Sequence, residues 1–135
     1  MTSEFEIQTV QERQFRCISR HKGSGEAWNT DIPLKLGGLG FFASPADTLA
    51  AAASSCMMSM MTFLAARKNI DLTGMKIDAA AGGEDGMIRH LAFRITVPLE
   101  GTHPLRRVLE EAAGGCPVRK SLHPDVEVRT EWVWK

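Results

Sequence analysis

Alternating apolar and polar positions predict strands at the start of the chain. Residues 5–19 follow this alternation and carry β-branched side chains, which predicts one or two half-buried strands. Residues 21–25 predict a turn, because glycine and polar residues dominate there. Residues 27–36 predict another edge strand, which Pro33 weakens, and the glycine-rich stretch 37–40 predicts a flexible connection to the first helix.

A long apolar helix is predicted next, from Pro45 to about Arg67 or Lys68. Ser44 is its expected N-cap, with Pro45 at the first helical position and Asp47 in the first turn. An apolar stripe recurs at helical spacing, with a stripe of small polar residues beside it. The apolar stripe consists of Leu49, Ala53, Cys56, Met60 and Leu64, and the small polar stripe consists of Ser55, Ser59 and Thr62. Since almost no charge interrupts this helix, we expect a sheet to cover one face and a second helix or a second subunit the other.

The second half of the chain predicts a hairpin, a helix and a last strand. Strands over 75–81 and 87–99 are joined by a glycine-rich turn. A helix over 103–113 ends at two glycines, and a short helical segment over 116–122 precedes a strand over 126–133. The order of elements predicts a single α+β domain over residues 1–135.

Composition narrows the classes of partner. The chain has 135 residues, with 16 basic and 16 acidic side chains, and a pI near 6.9. This balance predicts no nucleic acid partner and no anionic membrane partner, and it favours small neutral substrates. Three cysteines and a start without a charged and then apolar leader predict a cytoplasmic protein without a disulfide framework. Serine and threonine interrupt the apolar run over 49–66, so we interpret it as a buried helix of a soluble protein rather than a membrane span.

Two cysteines are the main candidates for chemistry. Cys116 follows two glycines at a predicted helix start, where backbone N–H groups favour a thiolate. Cys56 lies among alanine, serine and methionine, which disfavours a thiolate unless a cation from elsewhere reaches it. From its surroundings alone, Cys56 is either a nucleophile or a small buried apolar residue. Cys17 has no partner in the sequence and is interpreted as a core or edge thiol.

The remaining unusual residues have structural interpretations. The cluster Met57, Met58, Met60 and Met61 either lines an apolar pocket or packs in the core, and packing is the simpler interpretation. The four histidines and three cysteines show no zinc-ligand spacing, so no metal site is predicted.

Several motifs in order along the chain resemble one family. They are Leu36-Gly37-Gly38, Ser44-Pro45, Cys56, the stretch 69–75 after the cysteine-bearing helix, and the most specific of them, Cys116-Pro117-Val118-Arg119-Lys120-Ser121-Leu122. Together they resemble the OsmC/Ohr family. The resemblance implies an α+β, OsmC-like fold in which antiparallel strands wrap around two central helices. It also implies an intertwined homodimer with cysteine-based sites near the subunit interface.

The chemistry implied by this resemblance is the reduction of organic hydroperoxides. Cys56 would attack the peroxide and become a sulfenic acid, which Cys116 would resolve as an intramolecular disulfide. A lipoyl-type or other small dithiol would then restore both thiols. This chemistry needs no metal, flavin or haem, so the resemblance implies no cofactor.

The chain departs from the family pattern at one acidic position. Hydroperoxide reductases of the family carry a glutamate directly after the helix-opening proline, where it holds an arginine toward the reactive sulfur, and this chain has Ala46 there. Asp47 follows, but one position rotates a side chain by about 100° around a helix. Asp47 is therefore either an activating acid or, the favoured interpretation, the acid of a capping box with Ser44.

The activating cation is open at this stage. Arg20, at the predicted turn, is the best candidate, Arg16 and Lys35 compete with it, and a solvated turn arginine is the alternative. Two functions follow from the residues and the resemblance. One is a thiol-dependent peroxidase, and the other is a non-peroxidatic binding protein for small apolar or electrophilic molecules.

Overall fold

The computed structural model describes residues 5–135 and shows a mixed α+β architecture, as predicted. The chain divides into two compact units, residues up to Thr48 and residues from Leu49 to Lys135. The prediction of a single domain over residues 1–135 stays a prediction.

The first unit contains a three-stranded antiparallel sheet in the order β1-β2-β3. Its strands are β1 (Ile7–Arg13), β2 (Arg16–His21) and β3 (Ala27–Thr30). All seven residues of β1 are exposed, so the predicted half-burial of this strand is wrong. Successive side chains of a strand point to opposite faces, so both faces of β1 are left uncovered in the described residues. The predicted strand over 27–36 is also too long, since a 3₁₀ helix (Leu34–Leu36) begins directly after Pro33.

A buried carboxylate fixes the loop that the sequence predicted to be flexible. Asp31 is 3% exposed, and its Oδ1 accepts the backbone N–H of Ile32 at 2.7 Å. Its Oδ2 accepts the N–H of Phe41 at 3.4 Å, so one side chain holds both ends of residues 32–41. These backbone hydrogen bonds, that of Ile32 above all, lower the pKa of Asp31, and the positive charge of Arg16 acts in the same direction.

Helix α1 (Pro45–Ala66) is the long apolar helix that the sequence predicted. Its buried residues are Ala50, Ala53, Met57, Met61 and Ala65. The predicted buried stripe was therefore wrong, because Cys56, Met60 and Leu64 are only partly buried. The buried face of α1 is rotated around the helix axis relative to the predicted one. The helix has apolar residues on nearly every side, and such a pattern does not single out one buried face.

By length and composition alone, α1 would also suit a membrane span, since an 18-residue stretch of it has a mean hydropathy of 1.6. Its buried residues belong to a hydrophobic core to which the strand His90–Val97 and the helix Arg106–Gly114 also contribute side chains. A core helix of a soluble protein meets the same criteria of length and composition.

The second unit carries a three-stranded sheet in the order β4-β5-β6. Strands β4 (Lys76–Gly82) and β5 (His90–Val97) form the predicted antiparallel hairpin. Strand β6 (Glu127–Trp134) pairs with β5 in parallel, whereas the other strand pairs of the described residues are antiparallel. A parallel pair needs a crossover connection, and α2 (Arg106–Gly114) and α3 (Pro117–Lys120) lie in that connection.

The first helix of this connection starts later than predicted, and the second starts at the predicted Cys116-Pro117. His103 lies in a turn, where its Nδ1 accepts the N–H of Leu105 at 3.1 Å, so α2 begins only at Arg106. At the C-terminal end of α2, Gly115 donates its N–H to the carbonyl of Glu111 at 3.1 Å. The helix therefore ends at Gly114 and Gly115, as the sequence predicted. Cys116 follows immediately as the N-cap of α3.

Candidate functional site

Cys56 lies in the middle of α1, where it is partly buried at the margin of the core. Helical spacing places Ala53 and Met57 of the buried face directly beside it. The exposed Ser55 and Ser59 follow on the other side. Cys56 therefore stands at the border between the buried and the exposed face of the helix.

Cys116 is held by its position as the N-cap of α3. Its side chain is completely buried, and its sulfur accepts the backbone N–H of Arg119 at 3.4 Å. Its thiol also points at the carbonyl oxygen of Ala53, one turn before Cys56, at a sulfur–oxygen distance of 4.0 Å. Pro117 at the first helical position presets the backbone that makes this cap.

The fold brings Cys56 and Cys116 close together, since the Cys116 sulfur lies 4.0 Å from the carbonyl oxygen of Ala53, one turn before Cys56, and the Cys56 thiol raises the pKa of Cys116. None of the three cysteines is joined in a disulfide. Sixty residues separate these two in sequence, and both belong to the second compact unit. This proximity favours conversion of the two thiols into a disulfide.

The pKa of the Cys116 thiol is shifted in the opposite direction to the one that the sequence predicted. Burial raises the pKa of its thiol, and the adjacent Cys56 thiol raises it further. The N–H groups of Arg119 and Val118 act in the opposite direction and are outweighed. The prediction of a favoured thiolate at this position was therefore wrong, because it counted the N–H groups of the helix start and not the burial of the sulfur.

This raised pKa predicts a loss of stability in alkaline solution. Below the ordinary thiol pKa of 9.0, Cys116 is neutral in both the folded and the unfolded chain. As the pH rises above that value, the unfolded chain releases the proton and the folded chain retains it, so the free energy of unfolding falls until the folded pKa is passed. We expect urea unfolding between about pH 8 and about pH 10 to show a steeper decline for the wild type than for Cys116→Ala. Equal declines would contradict the assignment.

Asp47 is engaged at the start of α1. Its carboxylate accepts the backbone N–H of Ser44 at 3.1 Å, and its own N–H donates to the hydroxyl of Ser44 at 3.1 Å. This reciprocal pair is a capping box. The structure thus places Asp47 in the favoured structural role, and Ala46 beside it supplies no acid.

The three candidate cations all lie in the first unit. Arg20 is exposed and donates from Nη1 to the carbonyl of Gly25 at 3.4 Å, within the turn that the sequence predicted. Lys35 is exposed in the 3₁₀ helix. Arg16 lies over the rings of Phe41 and Phe42, at 5.8 and 5.2 Å, and its Nε is buried without a hydrogen-bond partner in the part of the chain that the structure describes. The activating role of Arg20 stays a prediction.

The other candidates take structural positions. Met57 and Met61 are completely buried, which confirms core packing for these two members of the methionine cluster. Cys17 is partly buried on β2 with its thiol toward the carbonyl of Phe15 at 3.9 Å. Among residues 5–135, no group of three or more potential metal ligands is close enough to hold an ion.

Two features of the structure were not predicted from the sequence. Asp31 organises the loop before α1, and the only signal for it was a lone acid between a strand and a proline. The carbonyl of Ala53 faces Cys116, and no pattern of residue types marks a backbone contact of this kind.

Residues 38–131 match the model of the OsmC-like protein family, which is more than half of the chain. A solved structure from Psychrobacter arcticus, of a protein named for osmotic stress induction and a detoxification response, is 24% identical, with a TM-score of 0.88 and 98% of each chain covered. An organic hydroperoxide resistance protein from Elizabethkingia anophelis, with thiocyanate bound, is 18% identical, with a TM-score of 0.73 and 100% of each chain covered. The OsmC-like protein VCA0330 from Vibrio cholerae, of unknown function, is 18% identical, with a TM-score of 0.77, and 98% of this chain and 100% of that chain are covered. No curated protein matches the sequence.

Proposed function

This chain belongs to the OsmC-like protein family, and on that premise we propose that it is a thiol-dependent peroxidase that reduces organic hydroperoxides to alcohols. The observation that carries the proposal is the proximity of Cys56 to the buried thiol of Cys116, whose sulfur lies against the backbone of α1 one turn before Cys56. Organic hydroperoxide resistance proteins are among the solved structures that share the fold. Family and fold are common to proteins of known and unknown function, so the activity rests on the cysteine pair.

The proposed reaction has two steps on the protein. The Cys56 thiolate attacks the distal oxygen of the hydroperoxide, the O–O bond breaks, and the alkoxide takes a proton to leave as the alcohol. Cys56 is thereby oxidised by two electrons to a sulfenic acid. The Cys116 sulfur then attacks the Cys56 sulfur, the S–O bond breaks, and water leaves as the disulfide forms.

Burial supports this division of roles. Cys56 is partly exposed and can meet a substrate, whereas Cys116 is completely buried and can meet only groups that the fold brings to it. The raised pKa of Cys116 also keeps this thiol protonated near neutral pH, so it does not compete for the peroxide. An external dithiol of the lipoyl type then reduces the disulfide by thiol exchange, which completes the cycle.

The proposal includes a homodimer, because α1 presents a face suited to burial. Phe63 on this face is 61% exposed. The hydroxyls of Ser55 and Ser59 donate to the carbonyls of Ala52 and Ser55, at 3.0 and 2.8 Å, so they need no water. A second copy of the chain is the proposed cover for this face.

The second candidate function is a non-peroxidatic binding protein for small apolar or electrophilic molecules. The observation that favours it is at the start of α1, where Ala46 supplies no acid and the carboxylate of Asp47 is engaged by Ser44. Such a protein would hold its ligand near Cys56 without turnover.

Stopped-flow consumption of cumene hydroperoxide and of hydrogen peroxide by the reduced protein tests the proposal. We expect faster consumption of the organic peroxide, because the partly buried, apolar surroundings of Cys56 favour an apolar substrate. Thiol titration after one turnover should show a loss of two of the three thiols of each chain. Consumption of neither peroxide, with all thiols retained, would reject the peroxidase and favour the binding protein.

A further inference from the structure

A cavity of about 290 Å³ lies between the end of α1 and the first turn of α2, away from the cysteine pair. Leu64 and Leu105 contribute partly buried walls, and the completely buried Leu109 forms its floor. Leu64 stands eight residues beyond Cys56 on α1, which is about 12 Å along the helix axis. The second unit thus contains a concave and largely apolar cavity that is separate from the cysteine pair.

Two cations stand at this cavity. Arg67 and Lys68, directly after α1, line it together with the aliphatic walls. The ion pairs formed by residues 5–135 involve neither of them. The guanidinium of Arg67 lies 5.7 Å from the ring centre of Phe63. The cavity therefore combines an apolar interior with an uncompensated positive rim.

The opposite wall adds no negative charge of its own. The first turn of α2, which supplies Val108 and Leu109, contains no acidic side chain. The two acids that follow on this helix, Glu110 and Glu111, pair with Arg106 and Arg107 at 3.0 and 3.1 Å and are balanced by them. Charge complementarity thus selects a ligand with one negative group and an apolar body.

We propose that this cavity is a binding site for a medium-chain carboxylate, with the alkyl chain among Leu64, Leu105 and Leu109 and the carboxylate at Arg67 and Lys68. Its volume stands at the lower end of the usual range for ligand pockets, about 300–1,000 Å³. A medium chain fits this space better than a long one. The site does not depend on the peroxidase activity, because none of its residues belongs to the cysteine pair.

Titration with sodium octanoate, followed through the methyl NMR signals of Leu64, Leu105 and Leu109, tests the site in the full-length protein. We expect saturable shifts of these signals in the submillimolar range. Octylammonium, with the same chain and the opposite charge, and acetate, with the same charge and no chain, should leave them in place. The binding should also weaken as salt is added, because the cations at the rim are exposed.

Two variants separate the site from general surface binding. Arg67→Glu combined with Lys68→Glu should weaken octanoate binding at least tenfold, and Val108→Glu should weaken it similarly by placing an acid in the wall. Lys22→Glu, at an exposed lysine of the first unit, should leave it unchanged. No saturable shift with octanoate, equal binding of octylammonium, or full affinity in the double variant would each overturn the proposal.

Discussion

Replacing Cys56 by serine is expected to abolish the consumption of organic hydroperoxides. A hydroxyl is not ionised near neutral pH and cannot accept the distal oxygen as a thiolate does, so the variant loses its nucleophile. The rate should fall by at least about a thousandfold, as it does when a covalent nucleophile is removed from other enzymes. Stopped-flow measurement with cumene hydroperoxide in excess of reduced protein checks this.

Cysteine variants at the other two positions provide the controls for this prediction. Cys17→Ser, at a partly buried thiol of the first unit, should keep the full rate. Cys116→Ser should consume one equivalent of peroxide and accumulate a sulfenic acid on Cys56, which dimedone would trap. A Cys56→Ser variant that retains the wild-type rate would contradict the assigned nucleophile.

Gly38→Ala is expected to destabilise the protein strongly through the loop that Asp31 holds. A Cβ atom at this position would lie 1.9 Å from the carbonyl oxygen of Ile32 and 2.9 Å from Oδ1 of Asp31. That carbonyl already accepts the N–H of Gly40 at 3.1 Å, so moving it disturbs the same loop further. We expect a loss of about 3 kcal/mol in the free energy of unfolding, the upper end of the usual cost of overpacking.

Denaturant unfolding measures this loss as a lower midpoint at an unchanged slope. Gly114→Ala is the matched control, because the nearest atom to its added Cβ is Nη1 of Arg119, at 4.0 Å. That variant should stay within about 0.5 kcal/mol of the wild type, or gain slightly from the better helix former. A Gly38→Ala protein as stable as this control would show that the loop adapts to the added methyl group.

The sequence predicted those parts of the fold that local patterns determine. Helix α1 begins at Pro45 because Ser44 and Asp47 form a capping box that depends on residues three apart. The hairpin of β4 and β5 follows from alternation around a glycine-rich turn. The end of α2 followed from two consecutive glycines.

Other features depend on contacts between distant residues, which no local pattern specifies. The parallel pairing of β6 with β5 depends on a crossover through α2 and α3. The buried face of α1 depends on what packs against a helix that is apolar on most sides. The exposure of β1 depends on whether another element covers its two faces.

The candidate site divides in the same way. The motifs identified Cys56 and Cys116 as a pair, and the fold places the two residues close together. The shift in the pKa of Cys116 was predicted in the wrong direction. The burial that raises this pKa comes from tertiary packing and not from the position of Cys116 at a helix start. The position of Asp47 in a capping box was predictable, since its partner Ser44 lies three residues away.

Disulfide mapping after one equivalent of cumene hydroperoxide tests the central claim most directly. Reduced protein is treated, free thiols are alkylated, and the peptides that contain Cys17, Cys56 and Cys116 are identified by mass spectrometry. The account predicts that the Cys56 and Cys116 peptides are joined with the loss of two hydrogens, while Cys17 is alkylated. Alkylation of all three cysteines, or a disulfide that includes Cys17, would contradict it.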